Sequence, residues 1–220
     1  MFIGHYAAGF ATKKFAPRLS LGTLFFAAQF LDLLWPIFLL LRIEHVRIDP
    51  GNTLVTPLDF YEYPFTHSLV SAGGWALVFG LVYFSIRRHW KGTLILAAAV
   101  LSHWALDLIV HRPDLPLFLS GGPYYGLGVW NSLGGSMMVE LGIFVVGLLI
   151  YVRSTVAQDR IGHYALWALT AFLLITWAAN LLGPPPPSET AVAIAGLALW
   201  LLVPWAYWID RHRKPGRSAE

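Results

Sequence analysis

The sequence contains no cysteine. Disulfide bonds, thiolate metal sites and cysteine nucleophiles are therefore excluded, and any metal site must use histidine and carboxylate ligands. Charge is also scarce, because only 12% of the 220 residues are Asp, Glu, Lys or Arg, whereas 57% are hydrophobic and the mean hydropathy is +0.60. This balance excludes a water-soluble globular domain. The composition predicts an integral membrane protein.

Six apolar stretches are long enough to span a bilayer, which takes about 20 residues. They are residues 21–41, 68–86, 92–110, 133–152, 164–182 and 191–208. Residues 1–12 are apolar but too short to span, and they lead into Lys13 and Lys14 rather than a small-residue cleavage site, so we predict a retained, half-inserted helix. The predicted fold is an all-α, polytopic membrane helix bundle. It forms one integral-membrane domain, 1–220, with the site on helices of 1–152 and a supporting helix pair with a short basic tail in 153–220.

Basic residues are distributed unevenly between the two sides of these spans. If the connections alternate between sides, all 15 Lys and Arg residues lie on one side except Arg42, Arg47 and Arg112. Basic residues favour the cytoplasmic side, so we predict that both termini are cytoplasmic and that the chain crosses the membrane six times. The expected location is a prokaryotic inner membrane. The long loops, residues 42–66 and 112–132, then lie outside. Because no polar face gathers the basic residues, the expected partner is the lipid bilayer and not nucleic acid.

Ionisable side chains inside the spans need a physical reason, since each costs about 2.5–3.5 kcal/mol at a helix centre on insertion scales. Those inside the predicted spans are Asp32, His103, Asp107 and Glu140. At about 1.5 Å of rise per residue, Asp32, His103 and Glu140 lie roughly 18–21 Å from the basic ends of their helices. His67 and His111 stand at the outer ends of spans. These positions predict one polar layer between the bilayer centre and the outer face.

The third span carries a pattern that suits a metal ion. His103, Asp107 and His111 are spaced i, i+4, i+8 and share one helix stripe. An imidazole nitrogen and a carboxylate oxygen on one face can bind the same cation, and N/O ligands without sulfur suit zinc among the divalent ions. For a lone motif of this kind, a structural ion pair between helices is the alternative. Several carboxylates at one depth would repel each other, however, unless some are protonated or a cation is present.

A set of short motifs strengthens the metal hypothesis. In chain order they are His5 with Gly9, LDLLWP at 31–36, THS at 66–68 and SHWALD at 102–107. Together they resemble the YdjM-like family of predicted membrane-bound metal-dependent hydrolases. The resemblance implies a metal site formed by His5, Asp32, His67, His103 and Asp107, with Glu140 as a further member of the polar site. The order of these residues is also similar to that in zinc-dependent phospholipase C, an analogy that favours phosphoester chemistry and assigns no residue.

Three functions follow from the pattern as hypotheses. The favoured one is a metal-dependent hydrolase that acts from the outer face on an amphiphilic ester or phosphoester, such as a phospholipid or a lipid-linked phosphate, with Glu140 or Asp107 as general base. The second is an ion-coupled transporter that relays ions through Asp32, Asp107 and Glu140. No inverted repeat is visible in the sequence, which disfavours a carrier. The third is a structural or partner-binding membrane protein with a buried polar knot.

Overall fold

The computed structural model describes residues 1–216, and residues 217–220, which include Arg217 of the predicted basic tail, lie outside the described part. The described chain is mostly helical. It contains 5 helices that are long and apolar enough to cross a membrane, or 6 if one bent pair counts as a single span. A helical bundle with several candidate membrane spans is therefore confirmed.

The helices follow the predicted stretches closely. In chain order they are α1 (Ile3–Thr12), α2 (Leu21–Ala28), α3 (Phe30–Leu40), α4 (Pro64–His67), α5 (Leu69–Arg87), α6 (Trp90–Val110), α7 (Leu133–Ser154), α8 (Arg160–Leu182), α9 (Glu189–Leu197) and α10 (Leu202–Arg211). Helices α9 and α10 form one candidate span through a 3-10 turn at Ala198–Leu201. Pro204 favours this tightened turn, because it has no N–H to donate to a carbonyl group of the preceding turn.

The first predicted span is not one continuous helix. Helices α2 and α3 meet at Gln29 and are bent by 55°. At this break the carbonyl oxygen of Ala28 accepts a hydrogen bond from His103 Nδ1 at 2.9 Å. A side chain that inserts into the helical hydrogen-bond ladder is a known cause of such kinks. The bend was not predicted, because an apolar run does not reveal a tertiary hydrogen bond.

Helix α1 is enclosed by the bundle. Ile3, Tyr6 and Phe10 are fully buried, and the helix packs against α2, α6 and α7. Its backbone comes so close to α7 that a Cβ at Gly147 would lie 2.4 Å from the carbonyl oxygen of Ala7. Glycine at this position therefore permits the approach. The packing places the polar residue of α1, His5, in the bundle interior.

Short polar side chains fix the helix ends near the site. The hydroxyl of Ser68 accepts the N–H of Ser71 and starts α5, and Ser132 caps α7 in the same way. At the start of α9, Ser188 accepts the N–H of Ala191. Such caps contribute about 1 kcal/mol each to helix stability. Gly183 follows the last residue of α8, where the sequence predicts the end of that span.

The connecting segments contain small antiparallel sheets that the sequence did not predict. Their strands are β1 (His45–Ile48) with β2 (Leu58–Glu62), β3 (Leu115–Phe118) with β4 (Gly121–Tyr125), and β5 (Thr155–Ala157) with β6 (Arg213–Pro215). Asp59 on β2 binds both Arg47 on β1 and Arg112, which follows α6. These ion pairs hold the first hairpin against the end of α6. The long loops therefore form an ordered cap at that end of the bundle.

Candidate metal centre

The five predicted metal ligands come together in the bundle. His5 lies on α1, Asp32 on α3, His67 at the end of α4, and His103 and Asp107 on α6. All are buried except Asp32, whose side chain is 23% exposed. His5, His103 and Asp107 bring ligand atoms within 4.8 Å of one another, as do Asp32, His67 and His103. These buried histidine and aspartate groups could hold a metal ion.

Four distances between ligand atoms of this cluster are close to those of a tetrahedral site. His103 Nε2 lies 3.2 Å from Asp107 Oδ2 and 3.5 Å from Asp32 Oδ1. His67 Nε2 lies 3.4 Å from Asp32 Oδ1 and 3.9 Å from Asp107 Oδ2. Ligand atoms at about 2.0–2.1 Å from a tetrahedral zinc ion would lie about 3.3 Å apart. The residues therefore fit a small divalent cation.

His103 has a ring nitrogen that requires either a second proton or a cation. Its Nδ1–H donates to Ala28, which leaves Nε2 unprotonated in the neutral ring. Nε2 is buried and makes no hydrogen bond, although it faces the carboxylates of Asp32 and Asp107. A lone pair that faces two carboxylates without a proton between them is repulsive. A second proton on Nε2 would remove this repulsion, and so would a bound cation, which would satisfy all three groups.

His67 is oriented by a buried pair behind it. Its Nδ1 lies 2.7 Å from Thr66 Oγ1, which itself donates to Glu44 Oε2 at 2.6 Å. The N–H of Thr66 donates to Glu44 Oε1 at 2.8 Å. Since the hydroxyl hydrogen is used by Glu44, Thr66 accepts from the Nδ1–H of His67, and the Nε2 lone pair points toward Asp32. Carboxylates that orient a histidine in this way are typical of metal sites. Burial raises the pKa of the Glu44 carboxyl.

Asp107 connects α1 to the rest of the cluster. Its Oδ1 accepts a hydrogen bond from His5 Nε2 at 3.0 Å and lies 2.5 Å from the α-amino nitrogen of Met1. The ring of His5 stacks on that of His103, with centroids 3.6 Å apart and planes 7° apart. His5 Nδ1 is buried without a hydrogen-bond partner. Asp107 therefore presents one oxygen to His5 and the other to His103 and His67.

His111 extends the predicted stripe to the outer edge of the cluster. Its Nε2 lies 4.0 Å from Asp107 Oδ1, and it belongs to neither ligand triplet. Its Nδ1 lies 2.8 Å from Asp114 Oδ1, to which the hydroxyl of Tyr63 also donates at 3.3 Å. The ring packs on Trp130 with centroids 4.3 Å apart. The three residues of the stripe thus face one site, with His111 at its rim.

Glu140 lies beside the cluster and not within either triplet. Its Oε2 accepts the backbone N–H groups of Phe2 at 3.1 Å and Ile3 at 3.2 Å. These are free N–H groups at the start of α1, where a carboxylate also interacts favourably with the helix dipole. Glu140 therefore anchors the helix that carries His5, and its role as general base stays a prediction.

A cavity of about 550 Å³ opens onto the cluster. Asp32, His67, Asp107, His111 and Glu140 line its polar end. Its other walls come from α3, from the C-terminal end of α8, from α9 and from the loop between β1 and β2. Among the described residues, its lining contains no lysine or arginine. A volume of this size suits a small-molecule ligand.

Comparisons with protein-family models, with curated proteins and with solved structures find no match for this chain. The resemblance to the YdjM-like hydrolases stays a prediction from short motifs. The functional argument therefore depends on the residues and on their geometry.

Proposed function

We propose that this protein is a membrane-embedded hydrolase that uses a divalent cation, with zinc favoured, to cleave an amphiphilic ester or phosphoester. One observation carries the proposal: His103 Nε2 is buried without a hydrogen bond between two carboxylates, and it belongs to two groups of histidine and carboxylate ligand atoms that could hold a metal ion. The motifs that resemble the YdjM-like hydrolases support the same activity. The cavity next to these atoms supplies room for a substrate.

Each group at the site has a role in this proposal. His5, Asp32, His67, His103 and Asp107 would supply the ligands of the cation, in two triplets that share His103, and His5 also donates a hydrogen bond to Asp107. When bound, a divalent cation supplies Lewis-acid chemistry that activates water and polarises the ester. In the reaction, the water oxygen bonds to phosphorus or to the acyl carbon, and the bond to the alcohol oxygen breaks. One water proton passes to a base and then to the departing alcohol.

Glu140 is the favoured base. It lines the cavity and belongs to neither ligand triplet, so its carboxylate is not needed to bind the cation. Asp107 is the second candidate. Its two oxygens already face His5, His103 and His67, which leaves it less free to accept a proton.

The proposal is tested with purified protein and two chromogenic probes, hexadecyl p-nitrophenyl phosphate and p-nitrophenyl palmitate. We expect turnover of at least one probe, its loss on treatment with a chelator, and its recovery when zinc is added back. Release of p-nitrophenolate measures the rate. An unchanged rate of hydrolysis in the presence of the chelator would contradict a metal mechanism. Protein without metal and without turnover of either probe would favour the structural polar knot.

We also propose that the chain crosses an inner membrane six times, with both termini in the cytoplasm and the site toward the external side. The support is the uneven distribution of basic residues. Reporter fusions after Arg88 and after Arg213 should read cytoplasmic, and a fusion within residues 49–62 should read external. Paired phosphatase and fluorescent-protein reporters at each position make the measurement. A cytoplasmic signal from residues 49–62 would reverse the orientation and the side on which the site opens.

A further inference from the structure

The cavity extends from the polar cluster into an apolar region between α8 and α9, which we name the chain arm. Its lining residues include Trp177, Ala179 and Leu181 on α8, with one polar residue, Asn180, among them, and Ala195, Gly196 and Leu199 on the opposite wall. Pro36 of α3 packs where a side chain at Gly196 would otherwise lie, since a Cβ there would be 2.5 Å from Pro36 Cγ. Helices α3 and α9 thus form one wall, and α8 forms the other.

The chain arm lies among residues that face lipid. Both α8 and the segment Glu189–Arg211 are candidate membrane spans. Beside the arm, Leu182 is 82% exposed and Ile194 is 61% exposed. Apolar side chains so exposed on a spanning helix face the hydrocarbon layer. The arm therefore borders the bilayer.

Small side chains leave space between the two walls of the arm. Ala179 on α8 and Ala195 on α9 both line the cavity and are exposed. Larger side chains at these positions would extend into the space between the helices. The polar end of the same cavity contains Asp32 and His67. One continuous space therefore joins a polar site to an apolar slot, the shape that a molecule with one reactive head and one long chain requires.

We propose that the chain arm holds the aliphatic chain of a membrane-resident ester or phosphoester, which enters sideways from the bilayer between α8 and α9. This inference rests on the proposed hydrolase function for the chemistry at the head. It adds the substrate class, a lipid with a long aliphatic chain, and the route of entry. The methylene groups of the aliphatic chain contact the apolar walls and contribute to binding, while the reactive head lies at the polar cluster.

The test compares two probes with the same reacting group, hexadecyl p-nitrophenyl phosphate and methyl p-nitrophenyl phosphate. Ala195→Phe should lower kcat/KM for the hexadecyl probe about tenfold or more, and leave the methyl probe within about twofold of wild type. Ala179→Phe, on the opposite wall, should act in the same way. Ala198→Phe is the matched control, because Ala198 is exposed on the same span and does not line the cavity. Metal content checks that each variant folds.

A second measurement does not depend on activity. Hexadecyl phosphate with a diazirine at the end of its chain is photocrosslinked to the wild-type protein, and the labelled peptides are identified by mass spectrometry. We expect labels in residues 177–181 and 191–199, and fewer labels in Ala195→Phe. Labelling of these residues without turnover of either probe would support the chain arm and contradict the proposed hydrolase activity. Turnover that the Phe variants leave unchanged, with labels spread over all lipid-facing helices, would contradict the chain arm alone.

Discussion

Replacing His103 by alanine should leave the purified protein with little or no bound divalent metal, whereas the wild type should carry it in stoichiometric amount. His103 belongs to both ligand triplets, so its loss removes a ligand from each. Asp32→Asn should also lower the metal content, since it replaces an anionic ligand at nearly constant size. Elemental analysis by mass spectrometry on protein purified without added metal makes the measurement. His163→Ala is the matched control, because His163 is exposed on α8 and far from the cluster along the chain.

Thr66→Val extends this series to a residue that touches no metal. Valine keeps the shape of threonine but cannot accept the Nδ1–H of His67 or donate to Glu44. Loss of such an orienting partner typically weakens metal affinity about 10- to 100-fold. Thr66→Ser, which keeps the hydroxyl, should bind metal nearly as the wild type does. Competition with a chromogenic zinc chelator ranks the affinities.

The polar-knot hypothesis predicts a loss of stability, and not a loss of metal, for His103→Ala. Without a cation, His103 would have to carry a second proton and pair with Asp32 or Asp107. His103→Ala would then leave buried carboxylates without their partner, at a cost of about 3–5 kcal/mol. Thermal unfolding would show that loss. Equal metal content in wild type and His103→Ala, together with a large fall in stability, would therefore contradict the metal site.

Much of the cluster could be predicted because simple geometry governs it. The i, i+4, i+8 spacing fixes His103, Asp107 and His111 on one face whatever the rest of the fold does. The constant rise of a helix then sets Asp32 at nearly the same depth as His103. An ionisable residue in an apolar span is also conspicuous, because placing it in the membrane costs free energy. Helix periodicity and depth in the membrane were together sufficient to predict that these residues lie in one layer.

The residues that orient the cluster could not be predicted in this way. Glu44 stands next to His45 in a loop and looks like a solvated residue, yet its side chain is fully buried against Thr66. The contact joins residues that are 22 positions apart, and no periodic pattern relates them. The bend at Gln29 was missed for a similar reason, since it coincides with a hydrogen bond between Ala28 and His103. Tertiary hydrogen bonds in loops and at helix breaks leave little trace in a single sequence.

Glu140→Gln should lower the rate of hydrolysis about 100-fold or more, while metal content and thermal stability stay close to those of the wild type. Glutamine removes the proton-accepting carboxylate. Its amide oxygen can still accept the backbone N–H groups of Phe2 and Ile3, which are neutral donors. The substitution therefore leaves no buried charge without a partner at these contacts. Rates with the hexadecyl probe, metal analysis and thermal unfolding on the same preparation give the three readouts.

Two further variants separate a base from an anchor of α1. Glu140→Ala removes both functions, so it should lose activity and also stability, because the buried N–H group of Ile3 loses its acceptor at about 1–3 kcal/mol and the half-buried N–H group of Phe2 loses it too. Glu189→Gln makes the same carboxylate-to-amide change at a residue that does not line the cavity, and should leave hydrolysis unchanged. If Glu140→Gln retains full activity and stability while Glu140→Ala loses stability, Glu140 only anchors α1. The role of general base would then pass to Asp107, the other carboxylate that we consider for it, which faces both His5 and His103.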